Sequence, residues 1–319
     1  MPLEWSLDSE LIRRRCWFIV LENSLAVQYG VPVDSMLSYD GIYVGWAPDW
    51  EQPVTIAELN QATGQNGATY NVYSQITQTN ADDGSYNGDD RWPTSDIISS
   101  GAVLIASLMP EVSVNLWPAS ESIVVSQGTT VWLRFAHEMN CYSDAKCNNG
   151  DKLYPNLNSG LEDSEVYPIV RSMGDFMTAR SNMYNAVSAV NNSSAHIYMF
   201  WSPNVDTEQD PVAPWFPSVD QVDIVGVFNF TKIYGDIYNT YAAPNGIPFA
   251  MGEIGNDDGI SDREASFKAI INPDNGELSN HPLYVSCTWF DYTDFFLVNG
   301  QSEATVTETI SNTESGSAS

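Results

Sequence analysis

Two glutamates stand where apolar runs of this chain end. Thr130-Val-Trp-Leu-Arg-Phe-Ala136 leads into His137-Glu138-Met139-Asn140, and Pro248-Phe-Ala-Met-Gly252 leads into Glu253-Ile254-Gly255. A carboxylate delivered by a buried strand costs several kcal/mol unless it is paired or used. Two of them can divide acid–base labour. One protonates a leaving oxygen while the other attacks carbon, which is how carboxyl groups about 5–5.5 Å apart cleave a glycosidic bond with retention of configuration. Arg134 lies an even number of residues before Glu138, so a continuous strand puts both on one face. A guanidinium there favours the ionised form of a nearby carboxylate, as a nucleophile requires. Glu138, flanked by His137 and apolar residues, is placed to keep a proton, as a general acid does. A Glu that merely caps a helix or pairs with an Arg explains either residue alone better than it explains both.

The elements that must hold such a pair are short runs rich in Val, Ile and aromatics: Gly41–Trp46, Thr69–Ile76, Ala102–Leu108, Thr130–Ala136, His196–Trp201, Val222–Phe228, Pro248–Gly252 and Leu283–Trp289. Uncharged runs of this kind suit strands buried on both faces, as in a parallel sheet. Helical patterns lie between several of them. Val166–Val190 carries apolar residues at spacings near 3 and 4, Ile233–Tyr241 and Asp262–Ile271 read alike, and Thr55 with Glu58 forms a capping box. Eight strands alternating with helices predict an α/β fold, a single-domain (β/α)8 TIM barrel, whose catalytic groups sit at the C-terminal ends of strands. Residues 41–300 match the usual length of about 250 residues for that fold. An open doubly wound sheet is disfavoured, because Gly45-Trp46-Ala47-Pro48 follows the first strand where a glycine-rich phosphate turn belongs. The barrel is assigned to 39–300. Residues 1–38 read as an atypical leader or N-terminal extension, and the Ser/Thr-rich tail 301–319 as disordered.

Composition narrows the partners. Forty-one acidic against 12 basic residues, a formal charge of −29, excludes phosphate recognition by clustered Lys and Arg and attraction to anionic membranes. No run of 18 apolar residues exists to span a bilayer. A neutral partner fits, and 10 Trp, 16 Tyr and 12 Phe supply rings that suit the C–H faces of sugars as well as cores. Trp46, Trp50 and Trp92 are candidate sugar platforms. Of the four cysteines, Cys141 and Cys147 could staple a loop in an oxidising compartment, and Cys287 reads as a buried apolar residue. The overlapping sequons at Asn191 and Asn192 and another at Asn229 fit a secreted, N-glycosylated protein. The acidic loop Asp82–Asp90 could hold calcium but lacks EF-hand spacing.

The segment Leu133-Arg-Phe-Ala-His-Glu-Met-Asn140 resembles the acid/base motif of glycoside hydrolase family 26. Phe200-Trp-Ser-Pro-Asn204, Val222-Asp-Ile-Val-Gly226, Pro248-Phe-Ala-Met-Gly-Glu-Ile-Gly255 and Tyr43-Val-Gly-Trp46 are similar to that family's fifth, sixth, seventh and opening strands, in order, so the likeness covers roughly 40–295. The resemblance implies a retaining (β/α)8 enzyme needing no metal or organic cofactor. It implies a monomeric, secreted endo-β-glycanase acting on plant or fungal cell-wall polysaccharide, β-1,4-mannan first, with β-glucan or β-1,3-xylan as alternatives. A non-catalytic carbohydrate-binding barrel is the competing class. The family's roles fall on Glu138 as acid/base, Glu253 as nucleophile, His137 and Arg134 as ordering groups, and Trp289 as the aromatic floor at the cleavage point. Asn140 and Trp201 join the expected substrate cleft. Two departures matter. Cys141-Tyr-Ser-Asp-Ala-Lys-Cys147 follows Asn140 where a Gly and a Trp-rich run are usual, and Phe230 stands where a Tyr usually donates to the nucleophile, with Tyr234 a candidate replacement.

Overall fold

The computed structural model describes residues 25–32, 38–39, 41–49, 54–76, 94–110, 129–142, 173–190, 196–204, 211–227, 237–256, 259–271, 281–292 and 297–298. Within them one sheet runs in chain order through β1 (Ser38–Tyr39), β2 (Ile42–Pro48), β3 (Thr69–Ile76), β4 (Val103–Pro110), β5 (Thr130–Phe135), β6 (His196–Trp201), β7 (Ile224–Gly226), β8 (Phe249–Ile254) and β9 (Tyr284–Asp291). Neighbours from β2 to β9 are parallel. β9 returns to pair with β2 from Tyr43↔Ser286 to Pro48↔Asp291, which closes eight strands into a barrel. These are the eight strands the sequence predicts. β1 is an addition, a two-residue antiparallel partner of β2 too short to leave a periodic signal.

Among the described helices are α1 (Ile56–Thr63), α2 (Thr94–Ser100), α3 (Met139–Tyr142), α4 (Met173–Val190) and α5 (Ile260–Ile271). The capping box is present: the Thr55 hydroxyl accepts from the Glu58 N–H, and the Glu58 carboxylate accepts from the Thr55 N–H at 2.8 Å. α4 is the C-terminal part of the helix expected over 166–190, of which 166–172 lie outside the described residues. The stretch expected as a helix at Ile233–Tyr241 is, where described, a π-helical turn at Tyr238–Ala242. α2, polar and seven residues long, gives no amphipathic signal.

Strand alternation builds two packed layers. Inside the barrel, Tyr43, Val103, Ile105, Trp132, Phe200, Ile224, Ala250 and Val285 fill the floor together with Ala26 and Val31. The segment 25–32, read from sequence as part of an extension, seals this end. The Trp132 indole N–H donates to the Tyr29 carbonyl at 2.9 Å, and the Tyr198 hydroxyl donates to the Gln28 carbonyl at 2.8 Å. Outside the barrel, the opposite faces of the strands pack on the helices. Trp46 stacks on Phe267 of α5 with centroids 6.1 Å apart, and Trp289 meets the same ring edge-on at 5.8 Å.

Candidate active site

The inward faces of β3, β4, β5 and β8 carry polar side chains above the apolar floor. Arg134, wholly buried on β5, is the centre. Its Nη1 donates to Glu253 Oε2 at 2.7 Å and to Ser107 Oγ at 3.2 Å, and its Nη2 lies 4.0 Å from Glu138 Oε1. Burial by itself would lower the pKa of this guanidinium, but the charges of the Glu253 and Glu138 carboxylates outweigh it and hold it above the ordinary value. Burial, and then Arg134, push the His137 imidazole well below its ordinary pKa, so the ring is neutral in the neutral range.

Each carboxylate reaches the site through irregular backbone. Met251 pairs with Cys287 and Ile254 with Trp289, so β8 spends three steps where β9 spends two. The extra residue is a β-bulge, and it turns Gly252 and Glu253 to the same inner side. Gly252 makes room for this. A Cβ there would lie 2.8 Å from the Phe200 ring and 3.0 Å from Arg134 Cδ. Glu138 lies beyond the end of β5 in a turn where Ala136 and Glu138 both take positive φ, 48° and 55°. Such conformations are costly for non-glycine residues and persist where surroundings enforce them. Here the Ala136 N–H donates to the Leu108 carbonyl at 2.9 Å and the Glu138 N–H to the Ser202 carbonyl at 2.8 Å, tying the turn to strands on both sides. The expected shared face of Arg134 and Glu138 is therefore achieved, but by the turn and not by alternation.

Asn204 completes the acid/base side. Its side-chain amide donates to Glu138 Oε2 at 2.5 Å, while its backbone N–H donates to Asn140 Oδ1 at 2.8 Å. Asn140 thus braces the loop that orients Glu138. On the other side, Asn71 donates to the Gly252 carbonyl at 2.9 Å and to the Tyr73 phenol at 3.1 Å, and accepts from Ser107 Oγ at 2.7 Å. Tyr73 hydrogen-bonds Glu253.

No protein-family model and no curated protein sequence matches the chain. Solved structures do. The Bacillus subtilis mannanase man26 superposes with a TM-score of 0.52 at 14% identity, covering 92% of this chain and 89% of its own. GH26C from Muricauda sp. MAR_2010_75 superposes with a TM-score of 0.51 at 13% identity, covering 97% of this chain and 95% of its own. The chain has the fold of these family 26 proteins. The resemblance seen in its motifs and the resemblance of its barrel agree.

Against what the family 26 motifs imply, the structure brings together Glu138, Glu253, Arg134, His137 and Asn140, and moves two tryptophans out. Trp289 faces the helix layer and is 1% exposed. Thr288, one residue earlier, is the inward one, with its hydroxyl 2.7 Å from that of Thr69, the two meeting over Gly45 of the strand between them. The same alternation turns Phe290 inward, and it meets Tyr73 edge-on at 6.2 Å. Trp201 also faces outward, packed on Phe216 and Tyr241, with its indole N–H donated to the Trp215 carbonyl at 3.1 Å. Trp46 shares that outer layer and is no sugar platform. Phe230, Tyr234, Trp50, Trp92, Asp82–Asp90, Cys16, Cys147 and the three sequons lie outside the described residues. Trp289→Ala is expected to cost about 3–5 kcal/mol of stability with KM unchanged, read by denaturation and steady-state kinetics. A raised KM with unchanged stability would return Trp289 to the cleft.

The sequence does not single out Asn71, Tyr73 or Ser107, and Asn204 enters there only as the last residue of the Phe200–Asn204 motif, without a role. The available signal is alternation: Thr69, Asn71 and Tyr73 are polar-tipped residues on one face of a strand otherwise buried. His137, Glu138 and Glu253 also place ligand-type atoms within 4.8 Å of one another, as a metal site would. Arg134 already supplies a cation against both carboxylates, and its charge opposes a second one in the same space.

Proposed function

We propose that the chain is a secreted, retaining endo-β-glycanase of glycoside hydrolase family 26 that acts on cell-wall polysaccharide, with β-1,4-mannan the first candidate. The observation that carries this reading is that a carboxylate oxygen of Glu138 lies within 4.8 Å of one of Glu253 at the C-terminal ends of their strands. Inverting enzymes hold their carboxyl groups about 6.5–9.5 Å apart to admit a water, and retaining enzymes about 5–5.5 Å. Glu253, ion-paired to Arg134, attacks the anomeric carbon, and Glu138 protonates the departing oxygen. Water, deprotonated by Glu138, then cleaves the glycosyl–Glu253 ester, and the sugar leaves with its configuration retained. Neutral His137 and the Asn204 amide set Glu138 in place without adding charge. Phe290, inward and half-buried above Tyr73, offers the sugar an aromatic face where Trp289 does not.

Cys141, immediately after the acid/base motif, is disulfide-bonded. A disulfide there supports an oxidising, extracellular setting. The Cys141-Tyr-Ser-Asp-Ala-Lys-Cys147 segment stands where the resembling family has a Gly and a Trp-rich run after Glu-Met-Asn, which keeps β-glucan and β-1,3-xylan as alternatives to mannan. A panel of mannan, β-glucan and β-1,3-xylan, read by reducing-sugar release and by NMR of the first-formed anomer, tests the reading. Release with β-configured first product from mannan is the expected result. An α-configured first product would sink retention, and binding without release on every glycan would make the barrel a carbohydrate-binding protein.

A further inference from the structure

The polar groups around Glu253 form a closed ring whose hydrogen-bond direction has one solution. Arg134 can only donate, and its Nη1 donates both to Glu253 Oε2 and to Ser107 Oγ. Ser107, having accepted, spends its single proton on Asn71 Oδ1. This fixes the orientation of the Asn71 amide, whose two N–H groups go to the Gly252 carbonyl and to the Tyr73 oxygen. The Tyr73 oxygen is thereby an acceptor toward Asn71, so its own proton is directed to its other partner, Glu253. The ring cannot run the other way, because a guanidinium has no lone pair to accept with. Glu253 therefore receives two donors, Arg134 from β5 and Tyr73 from β3.

We propose that Tyr73, on the second barrel strand and oriented by Asn71 and Ser107, is the positioning residue that holds Glu253 for attack. The proposal rests on the glycanase reading above for its kinetic consequences but not for its geometry. The Tyr73 ring is fixed between the two catalytic sides: its centroid lies 5.6 Å from that of His137 and 6.2 Å from that of Phe290. Burial and the Glu253 charge hold the phenol well above its ordinary pKa, so it remains a donor throughout any working range. Asn71 also grips the carbonyl of Gly252 inside the bulge, so one amide sets both the backbone and the side-chain partner of Glu253.

Two measurements on the full-length protein test this. Proton NMR is expected to show a hydroxyl resonance protected from exchange that vanishes in Tyr73→Phe and moves upfield in Glu253→Gln, where the acceptor has lost its charge. Tyr73→Phe is expected to lower kcat by about 10–100-fold, the scale of one hydrogen bond to a charged group, with KM within about two-fold. The acidic limb of kcat/KM moves to higher pH, because ionised Glu253 has lost a donor. Asn71→Asp turns the donor facing Tyr73 into an acceptor that competes for the phenol proton. It is expected to give the same pH shift, and the double variant to add little to it. A Tyr73→Phe enzyme with wild-type kcat and an unmoved acidic limb overturns the proposal, as does a Tyr73 hydroxyl resonance indifferent to Glu253→Gln. Should the wild type hydrolyse no glycan, the resonance still decides for or against the ring while the glycanase reading alone fails.

Discussion

Glu253→Gln is expected to lower hydrolysis by about 10⁴-fold or more, the loss that follows when a group acting as a covalent partner is removed. The amide keeps the volume of the carboxylate and an oxygen for Arg134, so the barrel stays folded and substrate still binds. Glu253→Ala is a different experiment. It leaves Arg134, wholly buried, with 4.0 Å as its nearest approach to a carboxylate. Stripping one partner from a buried ion pair costs about 3–5 kcal/mol, so this variant is both inactive and visibly less stable. It also leaves a space where the nucleophile stood. Azide added to Glu253→Ala is expected to attack the anomeric carbon from that vacated side and give a glycosyl azide of inverted configuration. Azide added to Glu138→Ala, with a substrate whose leaving group needs no protonation, is expected to give the retained anomer by way of the Glu253 ester. The two products together assign nucleophile and acid/base separately. Wild-type rates in Glu253→Gln would end the assignment, and the same anomer from both variants would end the division of roles.

The sequence was legible where structure is regular. All eight barrel strands were readable as short runs rich in Val, Ile and aromatics and nearly free of charge, as strands buried on both faces are. The two carboxylates were readable because each is a charge at the end of such a run. Alternation failed at the ends, where the regular period stops. The bulge that turns Glu253 inward is one inserted residue, and nothing in Met-Gly-Glu-Ile marks it beyond the glycine. The turn that delivers Glu138 depends on positive φ at Ala136 and Glu138, residues that seldom adopt it, held there by carbonyls of β4 and of the loop after β6. Carrying Trp289 over from a motif placed it in the cleft, whereas register with Trp46 places both rings under α5. Asn71, Tyr73 and Ser107 were hidden for another reason. They lie 182, 180 and 146 positions before Glu253, and only closure of the barrel makes them its neighbours.

Arg134→Met is the second substitution expected to have a large effect, and its signature is a reversal in pH. Arg134 is the cation shared by Glu253, Ser107 and Glu138. Without it, two buried carboxylates within 4.8 Å of each other have no counter-charge. Their repulsion at that distance is at least about 3 kcal/mol at an effective dielectric constant near 20. The pair then shares one proton through the neutral range and titrates as a unit. A shared proton leaves Glu253 a poor nucleophile and removes the asymmetry between the two roles, so kcat falls steeply. Stability follows by linkage. In the variant the folded pair binds more protons than the unfolded chain, whose glutamates ionise near pH 4.3. Folding stability then declines as pH rises from about 5 to 8. At low pH the proton takes over part of the work of the guanidinium, and the variant approaches the wild type. Denaturation of Arg134→Met at pH 5 and at pH 8 reads this directly. A variant equally stable at both values would mean that the carboxylates do not feel each other, and the two-glutamate site would lose its electrostatic basis.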